Sequence, residues 1–490
     1  MNFEKELFVL LKARYPIISI STIEEDRLEY NIRQISQSSC RAPRNLYIWD
    51  FIEGYKTQRG LARKDPLAAL NLVEKISPYT PTLFLLKDFN RFLKDITVSR
   101  KLRNLSRVIK FQPKTLLLVD LYVQVPNELK EYITTLQFPL PTPREVRIEI
   151  KYIRRKMGFR RSLTPKFTEK LVQACQGLSL EKIRRVLGKA IVMYRKIDRN
   201  CISLFIEEKK QIISQTNLLE FCATEERLQN IGGSYNLKRW LLTRKKAFSG
   251  KAATYKLHAP RGVLLIGLQG TGKSLLAKAV AGEWKLPLLR LDVGRVFGGI
   301  VGESEYRMRE VIHTTETLAP CILWIDEIDK AFPESEQNHD SGTANRVLGT
   351  FATWLAEKTL PVFVIGTAND MYALPPELTR KGRFDEIFYI GTPSMEERQV
   401  IFEIQLKKFR PDTWYRYNTK ALSRSSRRFS GAEIEQAIME AMYTAFYEKR
   451  EFTTRDIEKA LKQTIPLLKT DPYRSELTRS WASSGKVRFA

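Results

Sequence analysis

The run GLQGTGKS, from Gly267 to Ser274, decides the fold of the second half of the chain. It follows GVLLIG, an apolar stretch of strand length, and precedes SLLAKAVAGEW, whose apolar residues recur at helical spacing. Its two outer glycines and its Lys-Ser pair have the spacing of a loop that holds phosphates between a strand and a helix. Glycines allow backbone conformations that turn amide groups toward an anion, and the following helix adds its positive end. The run therefore predicts a phosphate site between a strand and a helix.

Three more apolar runs of strand length follow the loop, and a stretch of helical length separates each from the next. They are PLLRLDV (287–293), CILWIDE (321–327) and PVFVIGTAN (361–369). Apolar strands that alternate with helices indicate a parallel sheet covered on both faces, so the predicted fold class is α/β. Strand signals stop at Ser394, and the runs beyond it predict helices. We place a P-loop core at 221–393, a helical lid at 394–469 and a polar C-terminal tail at 470–490.

The first half repeats this order of elements in a weaker form. Its apolar runs are PIISIST (16–22), NLYIWD (45–50), TLFLLKD (82–88) and KTLLLVD (114–120). In the helical region that follows, FTEKLVQACQGLSLEKIRRVLGKAI resembles FSGAEIEQAIMEAM of the second half, so we infer a tandem duplication. Where a phosphate loop would follow the first strand, the chain reads IEEDRLEY, with neither glycine nor lysine and with acids that would repel phosphate. We expect a degenerate α/β domain at 1–143, without a phosphate loop, and its basic helical lid at 144–220.

Side chains suited to phosphoryl transfer follow the predicted strands of the second half. Lys273 is placed to reach the outer phosphates of a nucleotide, and Ser274 to bind Mg²⁺. The strand CILWI ends in Asp326 and Glu327; we expect Asp326 to hold the magnesium shell and Glu327 to orient and polarise a water molecule. Asn369, at the end of the next strand, is placed near the terminal phosphate and that water. Two acids after a strand are often only solvated, but their order after the phosphate loop favours the catalytic interpretation.

Two arginines follow in LTRKGRFDE, at Arg380 and Arg383. Phosphoryl transfer depends mainly on positioning and on charge stabilisation, and an arginine that a neighbour supplies can raise the rate about 10³- to 10⁵-fold. A lone arginine is usually a solvated surface group. Two at this spacing after such a strand favour a catalytic role.

The composition is that of a globular chain with several domains. Its 490 residues are 43% apolar and 10% aromatic, enough for two to four hydrophobic cores. No apolar run approaches the roughly 18 residues of a membrane-spanning helix, and the start MNFEKELFVLL is amphipathic rather than a secretory leader, so we expect a soluble, non-secretory protein. The five cysteines are scattered and form no CxxC pair, and the three histidines are isolated, so neither a disulfide framework nor a zinc site is indicated.

The net charge of +27 is unevenly distributed. Residues 151–200 contain 15 Lys and Arg against 3 Asp and Glu, whereas residues 301–400 contain 9 against 17. A basic segment of this kind could bind RNA, DNA or another anionic surface. No aromatic stacking pattern accompanies it, so a solvated helix face is the favoured interpretation.

The order of phosphate loop, GESE, WIDEID, TAN, GRFD and FSGAE resembles that of the AAA proteins over 231–461. This resemblance implies tandem AAA+ modules, each a parallel-sheet core with a helical lid, of which only the second has a P-loop. It implies ATP and Mg²⁺ as ligands and a ring, commonly of six subunits, in which Arg380 and Arg383 act on the next subunit's nucleotide. It also implies a nucleotide-contacting set: Ile231 and Gly232 at the adenine, Gly431 and Ala432 of the lid near the ribose and adenine, and the loop residues Gly267, Leu268, Gln269, Gly270, Thr271, Gly272, Lys273, Ser274 and Leu275.

The whole two-part arrangement is similar to the AAA proteins of algal plastid genomes and cyanobacteria known as hypothetical chloroplast open reading frame forty-six, which implies the chloroplast stroma as the location. Two positions depart from the wider family. Ile300 stands where many relatives have an aromatic residue that grips a polypeptide in the central pore. The sequence therefore does not predict whether a polypeptide is threaded through the pore of this protein. Leu268 and Gln269 replace a pair of prolines, which loosens the loop without removing a phosphate ligand.

Two functional hypotheses follow. The first is an ATP-driven remodelling machine that acts on a protein partner. The second is a nucleotide-switched scaffold that binds nucleic acid through the basic segment 151–200. They differ in one observable: the second requires nucleic-acid binding that weakens steeply with salt.

Overall fold

The computed structural model describes most of the chain. The described residues are 3–38, 43–56, 60–121, 125–159, 163–198, 200–224, 226–248, 252, 255, 257–297, 303–332, 341–466, 468, 480–482 and 487–490. Ile300 and the neighbouring Gly298 and Gly299, expected at a pore, lie outside these ranges. The chain divides into two compact units, Met1–Cys201 and Ile202–Ala490.

The first unit alternates strands and helices and then becomes helical. Its strands are β1 (Ile17–Ser21), β2 (Asn45–Asp50), β3 (Gly54–Tyr55), β4 (Thr82–Lys87), β5 (Lys114–Asp120) and β6 (Ile133–Gln137). Its helices are α1 (Phe3–Lys12), α2 (Glu25–Ser38), α3 (Pro66–Lys75), α4 (Ile96–Ile109), α5 (Pro143–Lys156), α6 (Pro165–Cys175), α7 (Leu180–Tyr194) and α8 (Asn200–Thr216), the last running into the second unit, with short 3₁₀ turns at Phe89–Phe92 and Asn127–Leu129. The four predicted apolar runs coincide with β1, β2, β4 and β5.

The strands of the first unit form a six-stranded sheet in the order β3-β2-β4-β5-β1-β6. All neighbours are parallel except β2 and β3. Because alternate side chains of a strand point to opposite faces, the sheet has two cores. One contains Ile17, Phe84 and Leu116, and the other contains Ile18 and Leu117.

The second unit has the same alternation and then its own helical part. Its strands are β7 (Leu219–Cys222), β8 (Gly262–Gly267), β9 (Leu288–Leu291), β10 (Cys321–Ile325), β11 (Val362–Ala368), β12 (Glu386–Ile390) and β13 (Arg488–Phe489). Its helices are α9 (Tyr235–Lys245), α10 (Lys273–Trp284), α11 (Val293–Phe297), α12 (Glu303–Thr317), α13 (Ile328–Ala331), α14 (Ser341–Glu357), α15 (Pro376–Thr379), α16 (Met395–Phe409), α17 (Thr419–Ser425), α18 (Gly431–Tyr447) and α19 (Thr454–Gln463), with 3₁₀ turns at Leu228–Asn230, Lys246–Phe248 and Trp414–Arg416.

The seven strands of the second unit pair in the order β13-β12-β8-β11-β10-β9-β7. Only β7 and β9 are antiparallel. The order β12-β8-β11-β10-β9 repeats the order β6-β1-β5-β4-β2 of the first unit. The predicted α/β class with parallel-rich sheets is confirmed.

Two cores also cover the second sheet, one on each face. Leu264 and Ile266 belong to one cluster, and Val263 and Leu265 to the other. Helices α16 to α19 have a separate core around Phe402, which makes them a distinct helical layer. In the described part of the chain, no helix is both long and apolar enough to cross a membrane.

The strand β13 differs from the sequence-based expectation, which placed no strand after Ser394. Arg488 and Phe489 pair with Phe388 and Tyr389 as an added parallel edge strand. Two residues are too few to show the period of a strand, so the pattern of the sequence could not reveal it.

Candidate active site

The loop after β8 is shaped by glycines at positions that other residues would strain. Gly270 has a φ of +76° and Gly272 a φ of +92°. A Cβ on Gly270 would lie 2.9 Å from Ser430 Oγ, whereas a Cβ on Gly272 would meet nothing within 4 Å. The loop is therefore packed against the helical layer at Gly270 and open at Gly272, immediately before α10 begins. Backbone amides beside such an opening at a helix N-terminus suit a phosphate group.

Lys273 is buried at the start of α10, with its side chain folded back onto the loop. Its Nζ donates to the carbonyl oxygens of Gly267 and Leu268, each at 2.7 Å. Burial lowers the pKa of Lys273 to about 8, because the ammonium group loses water, and the nearby Asp329, Asp326 and Glu327 oppose that shift. The ammonium group thus stands between the loop carbonyls and the acids.

The hydroxyl of Thr367 connects the two predicted acids. Thr367 Oγ1 donates to Asp326 Oδ1 at 2.6 Å, and the backbone N–H of Glu327 donates to Thr367 Oγ1 at 3.0 Å. Ser274 Oγ lies 3.3 Å from the same Asp326 oxygen. The predicted magnesium pair, Ser274 and Asp326, is therefore brought together.

Glu327 is held by neighbours on two sides of its carboxylate. Asn369 Nδ2 donates to Oε1 at 3.0 Å, and Lys330 Nζ lies 2.9 Å from Oε2. The hydrogen bond from Lys330 lowers the pKa of Glu327, with Asn369 and Lys273 contributing, so the carboxylate is ionised at neutral pH. Its backbone has a φ of +50°, a conformation that costs about 1–3 kcal/mol and is found preferentially at functional sites.

Asp329 was not predicted from the sequence, yet it fixes the turn that carries Asn369. Its Oδ2 accepts the backbone N–H groups of Asn369 and Asp370 at 3.1 and 2.9 Å. Its side chain is 5% exposed, and its Oδ1 has no hydrogen-bond partner among the residues that the structure describes. Thr367, which contacts Glu327, and Asp329, which contacts Asn369, were not among the predicted site residues. Both nevertheless lie in motifs that the sequence shows, Thr367 in TAN and Asp329 in WIDEID.

The segment that precedes the core packs directly on the helical layer. A Cβ on Gly232 would lie 2.4 Å from Ile401 Cγ1, so only glycine fits there without rearrangement. The backbone N–H of Ser234 donates to Glu397 Oε1 at 3.2 Å. The backbone N–H of Ala432, at the start of α18, donates to Gly270 O at 3.2 Å. The phosphate loop and the helical layer are thus joined by a direct hydrogen bond.

These elements enclose one cavity of about 570 Å³. The predicted residues that line it are Ile231, Gly232, Gln269, Gly270, Thr271, Gly272, Lys273, Ser274, Leu275, Asp326, Glu327, Asn369, Gly431 and Ala432. Lining residues that were not predicted are Asn230, Ser234, Thr367, Tyr389, Ile390, Gly391, Thr392, Pro393, Glu397, Ile401, Ile404, Gln405, Glu435, Phe489 and Ala490. Gly267 and Leu268 do not line it but accept the hydrogen bonds of Lys273.

The two predicted arginines do not line this cavity. Arg380 is exposed just after α15. Arg383 is partly buried, and its Nη1 has no hydrogen-bond partner within the described ranges. The chain by itself does not bring either guanidinium group to its own phosphate loop.

The donors at the loop fit a magnesium ion that is bound together with a nucleotide. Ser274 and Asp326 offer one hydroxyl and one carboxylate at the loop, which suits Mg²⁺ because this ion keeps water and phosphate oxygens in its shell. Across the described ranges, no group of three or more His, Cys, Asp or Glu side chains could hold a metal ion.

Three family models match the chain. The model of the ATPase family associated with various cellular activities (AAA) matches residues 263–392. The models of the N-terminal domain and the second domain of SpoVK-like AAA ATPases match residues 3–138 and 144–216. The phosphate loop, the order of strands and these matches define an ATPase of the AAA class.

Relatives of the same length narrow the class further. The AAA domain-containing protein ycf46 of Trieres chinensis is 55% identical over 493 residues, which covers 100% of this chain and 98% of that protein. The ycf46 protein of Guillardia theta is 53% identical, with 100% and 97% covered. Another relative aligns over only part of the chain: the proteasome-activating nucleotidase of Archaeoglobus fulgidus is 35% identical over 221 residues, which covers 43% of this chain and 55% of that protein. The chain belongs to the ycf46 family of AAA domain-containing proteins, which confirms the resemblance.

Proposed function

We propose that this protein binds ATP at the Gly267–Ser274 loop, hydrolyses it with Mg²⁺, and works as an oligomeric remodelling machine on a protein partner. The observation that carries the proposal is the hydrogen-bonded series Ser274, Asp326, Thr367, Glu327 and Asn369 beside the loop. It combines magnesium ligands with an ionised, oriented carboxylate in a single cavity. The relative named proteasome-activating nucleotidase supports both nucleotide turnover and action on protein machinery.

Each residue has a role that follows from its contacts. When ATP binds, Lys273 Nζ replaces its hydrogen bonds to two loop carbonyl oxygens with hydrogen bonds to the outer phosphates. This replacement is favourable because a hydrogen bond from a buried ammonium group to a charged oxygen is stronger than one to a neutral carbonyl. Ser274 and Asp326 would hold the magnesium ion, which would supply positive charge to neutralise the charge that develops on the phosphates. Glu327 orients and polarises the attacking water, while Asn369 fixes its carboxylate. The water oxygen forms a bond to the γ-phosphorus as the bond from the γ-phosphorus to the bridging oxygen breaks; the bridging oxygen leaves with ADP, and both hydrogens of the water leave with the phosphate.

The hydrogen bond from the Ala432 N–H to Gly270 O offers a path from the nucleotide to the helical layer. Loop residues move when phosphates bind or leave, and the first turn of α18 moves with the loop to which it is bonded. We propose that 394–469 is therefore the lid of a core at 221–393, and that a ring of subunits converts the motion of the lid into work on the partner. Arg380 and Arg383 act on the neighbouring subunit's nucleotide in this ring.

Residues 1–220 are proposed to be a degenerate module, with core 1–143 and lid 144–220, that binds no nucleotide. The support is Glu24, which stands after β1 where the other unit has its phosphate loop. Glu24 Oε1 accepts the backbone N–H of Leu180 at 2.5 Å, at the N-terminus of α7, and Arg27 pairs with the other carboxylate oxygen. A fixed carboxylate thus takes the helix N-terminal amide that could otherwise face an anion.

Nucleotide-binding stoichiometry and two variants test the proposal. The wild-type chain is expected to bind one ATP, Lys273→Ala none, and Glu327→Gln one ATP without hydrolysing it. Isothermal titration and phosphate release measure the two properties separately. Binding by Lys273→Ala at wild-type affinity would overturn the site, and normal phosphate release by Glu327→Gln would overturn the role of the carboxylate.

A second candidate function is a nucleotide-switched scaffold for nucleic acid. The observation that favours it is an exposed stripe on α5, where Arg147, Lys151 and Arg155 recur every four residues beside the exposed Tyr152. RNA or DNA binding that weakens steeply with salt and that raises the ATPase rate would favour the scaffold. A protein that stimulates turnover while nucleic acid has no effect would favour the remodelling machine.

Location in the chloroplast stroma is proposed from the plastid-type relatives. Fractionation of plastids with an antibody to the native protein tests it. Recovery with the stromal fraction is the expected result.

A further inference from the structure

Residues 488–490 are held against the nucleotide cavity by contacts on both of their sides. The backbone N–H of Ala490 donates to Tyr389 O at 3.0 Å, which extends the β12–β13 pairing. Arg488 Nε lies 3.0 Å from Glu386 Oε2. On the other side, Asn236 Nδ2 of α9 donates to Phe489 O at 3.3 Å. The segment is therefore fixed between the edge of the sheet and α9.

This placement brings an aromatic ring to the wall of the cavity. Phe489 and Tyr389 both line the cavity, and their ring centroids are 5.6 Å apart at an interplanar angle of 86°. Tyr389 is 4% exposed, whereas Phe489 is 47% exposed. A half-exposed aromatic ring beside a cavity gains favourable burial when a flat ligand covers it.

The two ends of the cavity differ in chemistry. Gly272, Lys273 and the acids form one end, which suits the triphosphate. The rest of the lining comes from the Ile231–Ser234 segment, the end of β12, the lid helices and Phe489. A nucleotide with its phosphates on the loop would extend its base among these remaining lining residues. Gln405 lies there too, and its Oε1 is buried without a hydrogen-bond partner among the described residues, so a polar ligand atom would satisfy it.

We propose that Phe489 is part of the base-binding wall, that its ring contacts the adenine of bound ATP, and that strand β13 exists to hold it there. The inference deepens the proposed function and rests on ATP binding at the loop. It adds to the site a residue more than two hundred positions away in sequence from the phosphate loop. Phe489 binds the base and takes no part in bond making, so it sets affinity rather than the rate of the chemical step.

The test compares Phe489→Ala and Phe489→Tyr in the full chain, with Phe111→Ala as the matched control. Phe111 is 74% exposed and belongs to the other unit. Loss of one base–aromatic contact is expected to weaken ATP binding roughly tenfold. The KM for ATP should rise by a similar factor while kcat stays within about twofold, and Phe489→Tyr, which keeps the ring, should restore wild-type affinity. Phe111→Ala should match the wild type.

Tripolyphosphate, which has no base, supplies a second readout by competition against bound ATP. Its inhibition constant is expected to be the same for Phe489→Ala and wild type. Hydrogen exchange gives a third, because ATP should slow exchange of the Phe489 and Ala490 amides in wild type. If wild type binds ATP and Phe489→Ala binds it equally well, this inference fails alone. If wild type binds no ATP, the proposed function itself fails.

Discussion

Replacing Thr367 by valine is the most discriminating perturbation of this site. The substitution keeps the shape of the buried side chain and removes only a hydroxyl. It breaks the 2.6 Å hydrogen bond to Asp326 and leaves the N–H of Glu327 without its 3.0 Å acceptor. Hydrogen bonds to charged groups contribute about 1.5–3 kcal/mol, and an orphaned amide costs about 1–3 kcal/mol.

Adding the lower ends of these ranges gives about 2.5 kcal/mol, because the site is only partly buried. If this energy positions the two acids for the transition state, kcat falls roughly 50-fold or more. ATP affinity should change much less, because Lys273 and the loop amides are untouched. The expected signature is therefore a loss in kcat at nearly constant dissociation constant.

The assay is steady-state phosphate release at saturating ATP and Mg²⁺, together with ATP binding by titration. Thr315→Val is the matched control, since Thr315 is fully buried in the same unit and its Oγ1 donates within its own helix, to Val311 O at 2.7 Å. A Thr367→Val enzyme that keeps kcat within twofold of wild type would refute the reasoning. So would an equal loss in Thr315→Val.

Three further predictions concern the loop and the ring. The pKa of Lys273 is lowered to about 8 from 10.5, so its ammonium group loses its proton in the folded protein as pH rises through 8. ATP affinity should therefore fall between pH 7.5 and 9.5, and ATP binding should be accompanied by proton uptake. An ATP affinity that does not change over this pH range would contradict the role of Lys273. Gly270→Ala should weaken ATP binding, because the φ of Gly270 is +76° and Ser430 Oγ would lie 2.9 Å from the new Cβ. Gly349→Ala is the comparison, because Gly349 lies in a helix with open space around it; this variant should leave the free energy of unfolding unchanged or raise it by about 0.5–1 kcal/mol. Mixing Arg383→Ala subunits with Glu327→Gln subunits should restore activity that neither has alone; a mixture as inactive as its components would place the arginine in its own chain's site.

Much of the fold and the reacting end of the site could be predicted, because both depend on local order in the chain. Parallel strands deliver their carboxyl ends to the same edge, so the loop after β8, the acids after β10 and Asn369 after β11 must meet there. Their side-chain types then indicate phosphoryl transfer. The prediction that the first half is a degenerate module also rests on a local feature of the sequence, the absence of glycine and lysine after β1.

The sequence alone therefore determined the class of protein, the phosphate loop and the acids that follow the strands, because a strand, a glycine loop and a helix N-terminus are consecutive in the chain. The tertiary structure alone decided what surrounds them. It set the bridge from Thr367 to both acids, the bond from Ala432 to the loop, and the return of Phe489 to the cavity wall. The physical reason is that these contacts join residues from about 40 to more than 200 positions apart. Periodicity cannot show such contacts, since they depend on how packed layers meet.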